Sequence, residues 1–211
     1  MSIKPILFNT DMVRAILDGR KTVTRRVVKP QPEVAYVNGE QRDIVNRNQI
    51  AFKIMDKSGK DCYTFPPYQP GDILYVRETF VKADDGYHYR ANATLDSEQL
   101  RREYGYKYKP SIHMPKEAAR IWLKVTNVRV ERLRNITIEQ AQSEGTEYAC
   151  NEKCRSFKWC DDDIVLKGGC ECFSKLWDTT IKKADINRYG WSANPWVWVI
   201  EFERCEKPQE V

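Results

Sequence analysis

Lys21 and Thr24 lie three residues apart in "GRKTVTRR", just past a glycine, and Arg25 and Arg26 follow at once. A threonine hydroxyl attacks a carbonyl only when a base takes its proton. A lysine serves as that base when desolvation or neighbouring cations lower its pKa. Arg25 and Arg26 are such neighbours. The plainer reading makes Lys21 a surface ammonium and Thr24 a β-former, and the spacing alone leaves both open. Glu144 ends a helical pattern, where the macrodipole disfavours an acid; this is either a mark of function or a small tolerated cost. Glu78, in "VRETF", reads as a site acid or as a plain ion pair with Arg77 beside it. Ser111, His113 and Arg120 frame "SIHMP", a loop able to overlie a pocket.

The elements that must hold these groups show as patterns. "FNTDMVRAILDG" predicts a helix capped by Asn9 or Thr10, with Met12, Val13, Ile16 and Leu17 as its apolar stripe and Gly19 as its stop. "KTVTRRVV" is β-branched at alternating positions and predicts a strand. Pro70-Gly71-Asp72 predicts a turn, and Ile73 to Phe80 a strand after it. Residues 81 to 118 look polar and irregular, with tyrosines and lysines interleaved in "YGYKYKPSIHMP". From Arg120 to Leu133 apolar residues alternate, and their parity changes after Thr126-Asn127, which predicts a bulge or a break. Thr137 with Gln140 fits a capping box ahead of a helix that stops at Gly145. Phe173, Leu176, Trp177 and Thr180 mark another helix, and "NPWVWVIEFER" a central strand. Several strands and few helices predict an α+β fold with a strongly curved mixed sheet, a barrel with helices at its rim.

Five of seven cysteines cluster: Cys150, Cys154, Cys160, Cys170 and Cys172. Clustered thiols suggest a structural zinc, although the spacings are not the usual C-x2-C pairs, and reduced loop cysteines are the equal alternative. A catalytic metal is disfavoured, because His88 and His113 both lie far from the cluster in sequence. No cofactor is required for the chemistry described above.

The chain of 211 residues is long enough for one substantial core, and its 41% hydrophobic and 31% charged residues suit a globular protein. No apolar run is long enough to span a bilayer, and "MSIKPILFNTDM" lacks the apolar core of a signal peptide, so no membrane partner and a cytoplasmic location are expected. The net charge of +5 is modest, but basic residues concentrate at Arg14 to Lys29 and again at Arg120 to Arg134. Such patches suit an anionic ligand or are simply solvated faces.

"LFNTDMVRAILDGRKTVTRR", "PGDILYVRETF", "KPSIHMPKEAARIWLKVTNVRVERLRNIT" and "FSKLWDTT…NPWVWVIEFER", in that order, resemble the ASCH-domain proteins, in particular their longer phage and prophage form. Gly19-Arg20-Lys21 matches the G-x-K signature of that family. The resemblance implies one PUA-like (ASCH) β-barrel domain over 1–211, with flanking helices and insertions at about 30–65 and 148–170. It implies a cleft lined by the G-x-K segment. One branch of the family is an amidohydrolase that deacetylates N4-acetylcytidine through a lysine, a threonine and a glutamate, and the match places these on Lys21, Thr24 and Glu144. Arg25, Arg26, Arg77, Glu78, Ser111, His113 and Arg120 are the expected binding residues. This chain is longer than that branch, so its extra segments would cover or reshape the cleft. Two functions stay open: hydrolysis of an N4-acylated cytidine, or a non-catalytic module (or a ribonuclease) that takes a nucleoside or single-stranded RNA in the same basic cleft.

Overall fold

A computed structural model describes residues 2–32, 34–35, 42–44, 50–55, 58–146 and 168–209. Its strands are β1 (Ile3–Leu7), β2 (Val23–Val27), β3 (Val34–Ala35), β4 (Arg42–Ile44), β5 (Ile50–Met55), β6 (Asp61–Thr64), β7 (Ile73–Arg77), β8 (Phe80–Ala83), β9 (Gly86–Tyr89), β10 (Trp122–Arg132) and β11 (Trp196–Cys205). Its α-helices are α1 (Thr10–Leu17), α2 (Leu95–Glu103), α3 (Ile138–Ser143), α4 (Gly168–Thr180) and α5 (Ile186–Tyr189). The fold is α+β.

The main sheet has five strands in the order β1-β7-β10-β11-β2. β1 and β7 run parallel and the other pairings are antiparallel. Among the described residues no backbone pairing joins β2 back to β1, so the pairing path does not close. The sheet nevertheless curls. Flat, its edge strands would lie about 19 Å apart, yet Arg26 on β2 donates from Nη2 to the Leu7 carbonyl of β1 at 2.9 Å. α1 sets its buried Val13 and Ile16 into the same core as Ile6 of β1 and Val28 just past β2. A side chain and a helix thus stand where backbone pairing would complete a cylinder.

β10 and β11 form the spine. Val125 pairs with Phe202 and Asn127 with Glu201, which leaves Thr126 as the extra residue of a bulge. Because one residue flips the pleat, Ile121, Leu123 and Val125 before it and Val128 and Val130 after it all reach one core. Trp122 faces the other way and is buried too, against Ile73, Phe80, Met114 and Ala118. β11 lies between β10 and β2 and is buried on both faces from Trp196 to Ile200, as its apolar start requires.

Caps fall where the sequence places them. Asn9 accepts the Met12 amide at 2.8 Å, and Thr137 exchanges bonds with Gln140 in a capping box. Residues 81 to 118, expected to be irregular, instead hold the β8–β9 hairpin and α2. α2 has no buried residue, so apolar periodicity gives no sign of it. It stands on a Thr94–Ser97 capping box and on Arg101–Glu98 and Gln99–Glu103 pairs. The 30–65 region contains a small sheet, β3-β5-β4 with β6 on β5.

Leu123 is fully buried and Leu95 is 91% exposed. Leu123→Ala is expected to cost about 2–5 kcal/mol, and Leu95→Ala within about 0.5 kcal/mol of nothing; urea unfolding of both variants checks the position of the core.

Candidate functional site

The turn after α1 sets the site. Gly19 takes a positive φ of 75°, a conformation that favours glycine. The amides of Arg20 and Lys21 then both donate to the Ala15 carbonyl, at 2.8 and 3.0 Å. Lys21 is thereby held against the end of α3, where it forms an antiparallel bridge with Glu144, and Thr22 donates to the Ser143 carbonyl at 2.9 Å. The approach is close enough to demand glycine at 145. A Cβ there would stand 2.6 Å from Ala15 Cβ and 3.1 Å from Lys21 Cβ.

Lys21 has a side chain with 0% exposure. Its Nζ donates to Glu144 Oε2 at 2.7 Å, to the Val23 carbonyl at 2.7 Å and to the Glu144 carbonyl at 2.9 Å. An ammonium has three N–H donors, so this one is satisfied in full. Glu144 is buried as well, and its Oε1 accepts from Arg25 Nη1 at 3.1 Å. Arg25 continues to Gln140 Oε1 at 2.9 Å and lies 3.6 Å from Glu131 Oε2. Its guanidinium sits over the Phe173 ring, and its Nε is buried without a partner among the described residues. Lys21 and Arg26 both stand over the Phe8 ring, at 5.5 and 5.6 Å.

Burial pushes the Lys21 ammonium below its ordinary pKa. Glu144 pulls it back, while Arg26 and Arg25 press it further down, and the net shift is downward. The acid at the end of α3 is thus held by two cations, which offsets the unfavourable helix end.

β2 is an edge strand, and a small hollow opens beside it. Thr24, Arg25, Arg26 and Glu144 line one side; Met12 and, from α4, Phe173, Leu176, Trp177 and Thr180 line the rest. Its volume is about 20 Å³, room for roughly one water molecule. Thr24 and Glu144 therefore share the hollow, while Lys21 is bound to Glu144 but buried outside the lining, and side chains of α4 form much of the wall.

The other expected binding residues gather elsewhere. Glu78 pairs with Arg120 through two bonds of 2.9 and 3.0 Å, and not with its neighbour Arg77. Arg77 donates from Nη2 to the Ile112 carbonyl. The Ser111–His113 turn leaves His113 exposed and Ser111 half-buried, and the loop is anchored by Met114, which enters the core around Trp122. None of these residues lines the hollow beside Thr24. The basic run from Arg120 to Arg134 is dispersed: Lys124 faces Glu203, Arg129 binds Glu131 and Glu201, and Arg132 lies on the Trp196 ring.

Arg120 lines a second and larger cavity of about 580 Å³, with Tyr87, Tyr89, Tyr104, Tyr106 and Tyr108. None of these tyrosines is among the site residues that the sequence singles out. Tyr87 and Tyr89 stand two apart in "GYHY", which on a strand places them on a shared side, whereas Tyr104 and Tyr106 are joined through the positive-φ turn at Gly105. Of the cysteines expected to bind zinc, Cys150, Cys154 and Cys160 lie outside the described residues, as do the side chains of Cys170 and Cys172; only the backbone of that pair is described, within α4. Among the described residues no cluster of histidine, cysteine and acidic side chains is arranged to hold a metal ion, and no helix is long and apolar enough to cross a membrane.

Glu144→Gln keeps the side-chain volume but leaves Lys21 and Arg25 buried without their shared anion, and is expected to cost about 3–5 kcal/mol. Lys21→Met leaves Glu144 paired with Arg25 and is expected to cost less; urea unfolding ranks the two. The lowered Lys21 pKa adds a pH signature. The folded chain releases this proton at lower pH than the unfolded chain does, so the contribution to stability rises with pH between the lowered value and the ordinary 10.5. Unfolding free energies of wild type and Lys21→Met should diverge accordingly as pH rises toward 10.5.

Comparison with protein-family models, with curated proteins and with solved structures returns no match to this chain.

Proposed function

We propose that the chain is an ASCH-type, PUA-like protein whose Lys21–Thr24–Glu144 cluster hydrolyses an amide on a nucleoside, with N4-acylated cytidine as the substrate class. The observation that carries this reading is the 2.7 Å contact of Lys21 Nζ with Glu144 Oε2, behind the hollow that Thr24 and Glu144 line. The curled five-stranded sheet, with Arg26 spanning its two edges, supports the barrel-like side of the proposal.

In this mechanism the Lys21 ammonium passes a proton to Glu144 and becomes a neutral amine, and burial together with Arg26 and Arg25 favours loss of that proton from Lys21. Thr24 Oγ1 bonds to the acyl carbon as its proton passes to Lys21. The carbon–nitrogen bond then breaks, and the proton goes to the departing amino group. Water then adds to the acyl carbon of the resulting ester, the bond from that carbon to Thr24 Oγ1 breaks as Oγ1 takes up a proton, and the acyl group leaves as a carboxylic acid. Arg25 and Arg26 line the hollow and supply positive potential where the oxyanion develops. An acylated base is far larger than a water-sized space. Leu176 and Thr180, less buried than Phe173 and Trp177, must shift for it to enter.

The complete satisfaction of the Lys21 ammonium favours a second reading, in which the buried ion cluster is scaffold and the protein binds RNA without chemistry. N4-acetylcytidine separates the two. Under the first, wild type releases cytidine and Thr24→Val, which keeps the shape and removes the hydroxyl, loses at least about a hundredfold in kcat/KM. Under the second, wild type releases none, while salt-sensitive binding to single-stranded RNA persists in Thr24→Val. Turnover that survives Thr24→Val removes the proposed mechanism.

A further inference from the structure

The 580 Å³ cavity holds none of Lys21, Thr24 and Glu144 and is built by different elements. Tyr87 and Tyr89 stand two apart on β9, Tyr104 is the C-cap of α2, and Tyr106 and Tyr108 lie in the run that follows. That run is tied to β8 by a pair of bonds between Phe80 and Lys109, at 2.7 and 3.2 Å. Helix, hairpin and the run to Lys109 therefore line the space together. Its volume falls within the range of small-molecule pockets, about 300–1,000 Å³.

The charges around it are already matched. Arg101 pairs with Glu98 at 2.9 Å, Arg120 with Glu78, and Asp85 with His88 at 2.7 Å. Asp84 accepts the Tyr106 hydroxyl at 3.2 Å. With each lining cation neutralised within the protein, there is little to attract a phosphate. Two of the tyrosine faces that could hold a cationic ligand are already taken by the protein's own cations, since Arg120 lies 4.1 Å from the Tyr89 ring centre and Arg101 4.8 Å from that of Tyr108. Tyr108 donates to Glu98 at 2.7 Å, and burial together with that carboxylate pushes its pKa up to about 12.

What remains is aromatic surface with acceptors at its edge. Tyr104 and Tyr106 lie nearly parallel, at 26°, and Tyr104 is 72% exposed. Asp84 and Asp85, both exposed, offer carboxylate oxygens to amino or hydroxyl hydrogens. We propose that this cavity binds a neutral, planar heteroaromatic molecule of nucleoside size, stacked on tyrosine and hydrogen-bonded to Asp84 and Asp85. The proposal stands apart from the hydrolase reading, because no residue of the Thr24 hollow contributes to it.

Titration calorimetry of the full chain with adenosine, cytidine, adenosine 5′-monophosphate and tetramethylammonium tests it. Saturable binding of adenosine or cytidine is expected, with the monophosphate no tighter than adenosine and tetramethylammonium unable to compete. Tyr104→Ala, at an exposed position that leaves the fold intact, should weaken adenosine about five- to a hundredfold, while Tyr104→Phe keeps the ring and the affinity. Leu95→Ala, at an exposed position outside the cavity, should bind as wild type does. Four results would overturn the assignment: no saturable nucleoside binding by wild type, tighter and salt-sensitive binding of the monophosphate, displacement by tetramethylammonium, or adenosine affinity unchanged in Tyr104→Ala.

Discussion

Two cations and one carboxylate removed from water at a single point constrain much of this molecule. Lys21 and Arg25 share Glu144, and separating any one of them would strand charge in a medium that solvates it poorly. Such an arrangement is worth little as net stabilisation against an apolar core of the same volume. Its effect is on placement: α1, β2 and the end of α3 must adopt one mutual position for every donor to find its acceptor. The backbone enforces the same position independently, through the double use of the Ala15 carbonyl and the near-contact at Gly145.

The same geometry explains why a basic, hydroxyl-bearing segment sits at the edge of a sheet. An edge strand exposes unpaired backbone groups that natural proteins cover. Here Lys21 folds back and donates to the Val23 carbonyl, so the chain blunts its own edge with a charged side chain. Thr24 is left at the rim of the hollow. Structural need and chemical opportunity coincide in one strand, which is why the Lys21 cluster supports both a catalytic and a scaffolding reading.

Much of the scaffold was legible in the sequence. Asn9, Gly19, Thr137 and Gln140 announce their helix ends because capping is local chemistry, and the parity change after Thr126 announces the bulge because a pleat has period two. The meeting of Lys21 with Glu144 rested on family resemblance and is a matter of tertiary packing that no local pattern encodes. Sealing of the hollow was hidden for the same reason: Phe173 and Trp177 read as an ordinary apolar stripe, and only the fold shows what that stripe covers. α2 escaped notice because it buries nothing. Glu78 looked like a partner for Arg77, its neighbour in sequence, whereas the sheet brings Arg120 to it from 42 residues away. Tyrosines interleaved with lysines in a polar stretch carry no local sign of a shared cavity, which needs the β8–β9 hairpin, α2 and the run to Lys109 brought together.

Thr126 has an effect beyond its own turn of the pleat. β10 serves two distant places: Trp122, just after Arg120, packs beside the tyrosine cavity, and Glu131, near the other end, sits next to Arg25. On an uninterrupted strand the orientation of one end would dictate that of the other. The surplus residue resets the phase midway, so each half is free to satisfy its own surroundings. Deleting it would turn Val128 and Val130 outward while Glu131 swung away from the guanidinium it accompanies, and a single missing codon would reach both ends of the molecule at once.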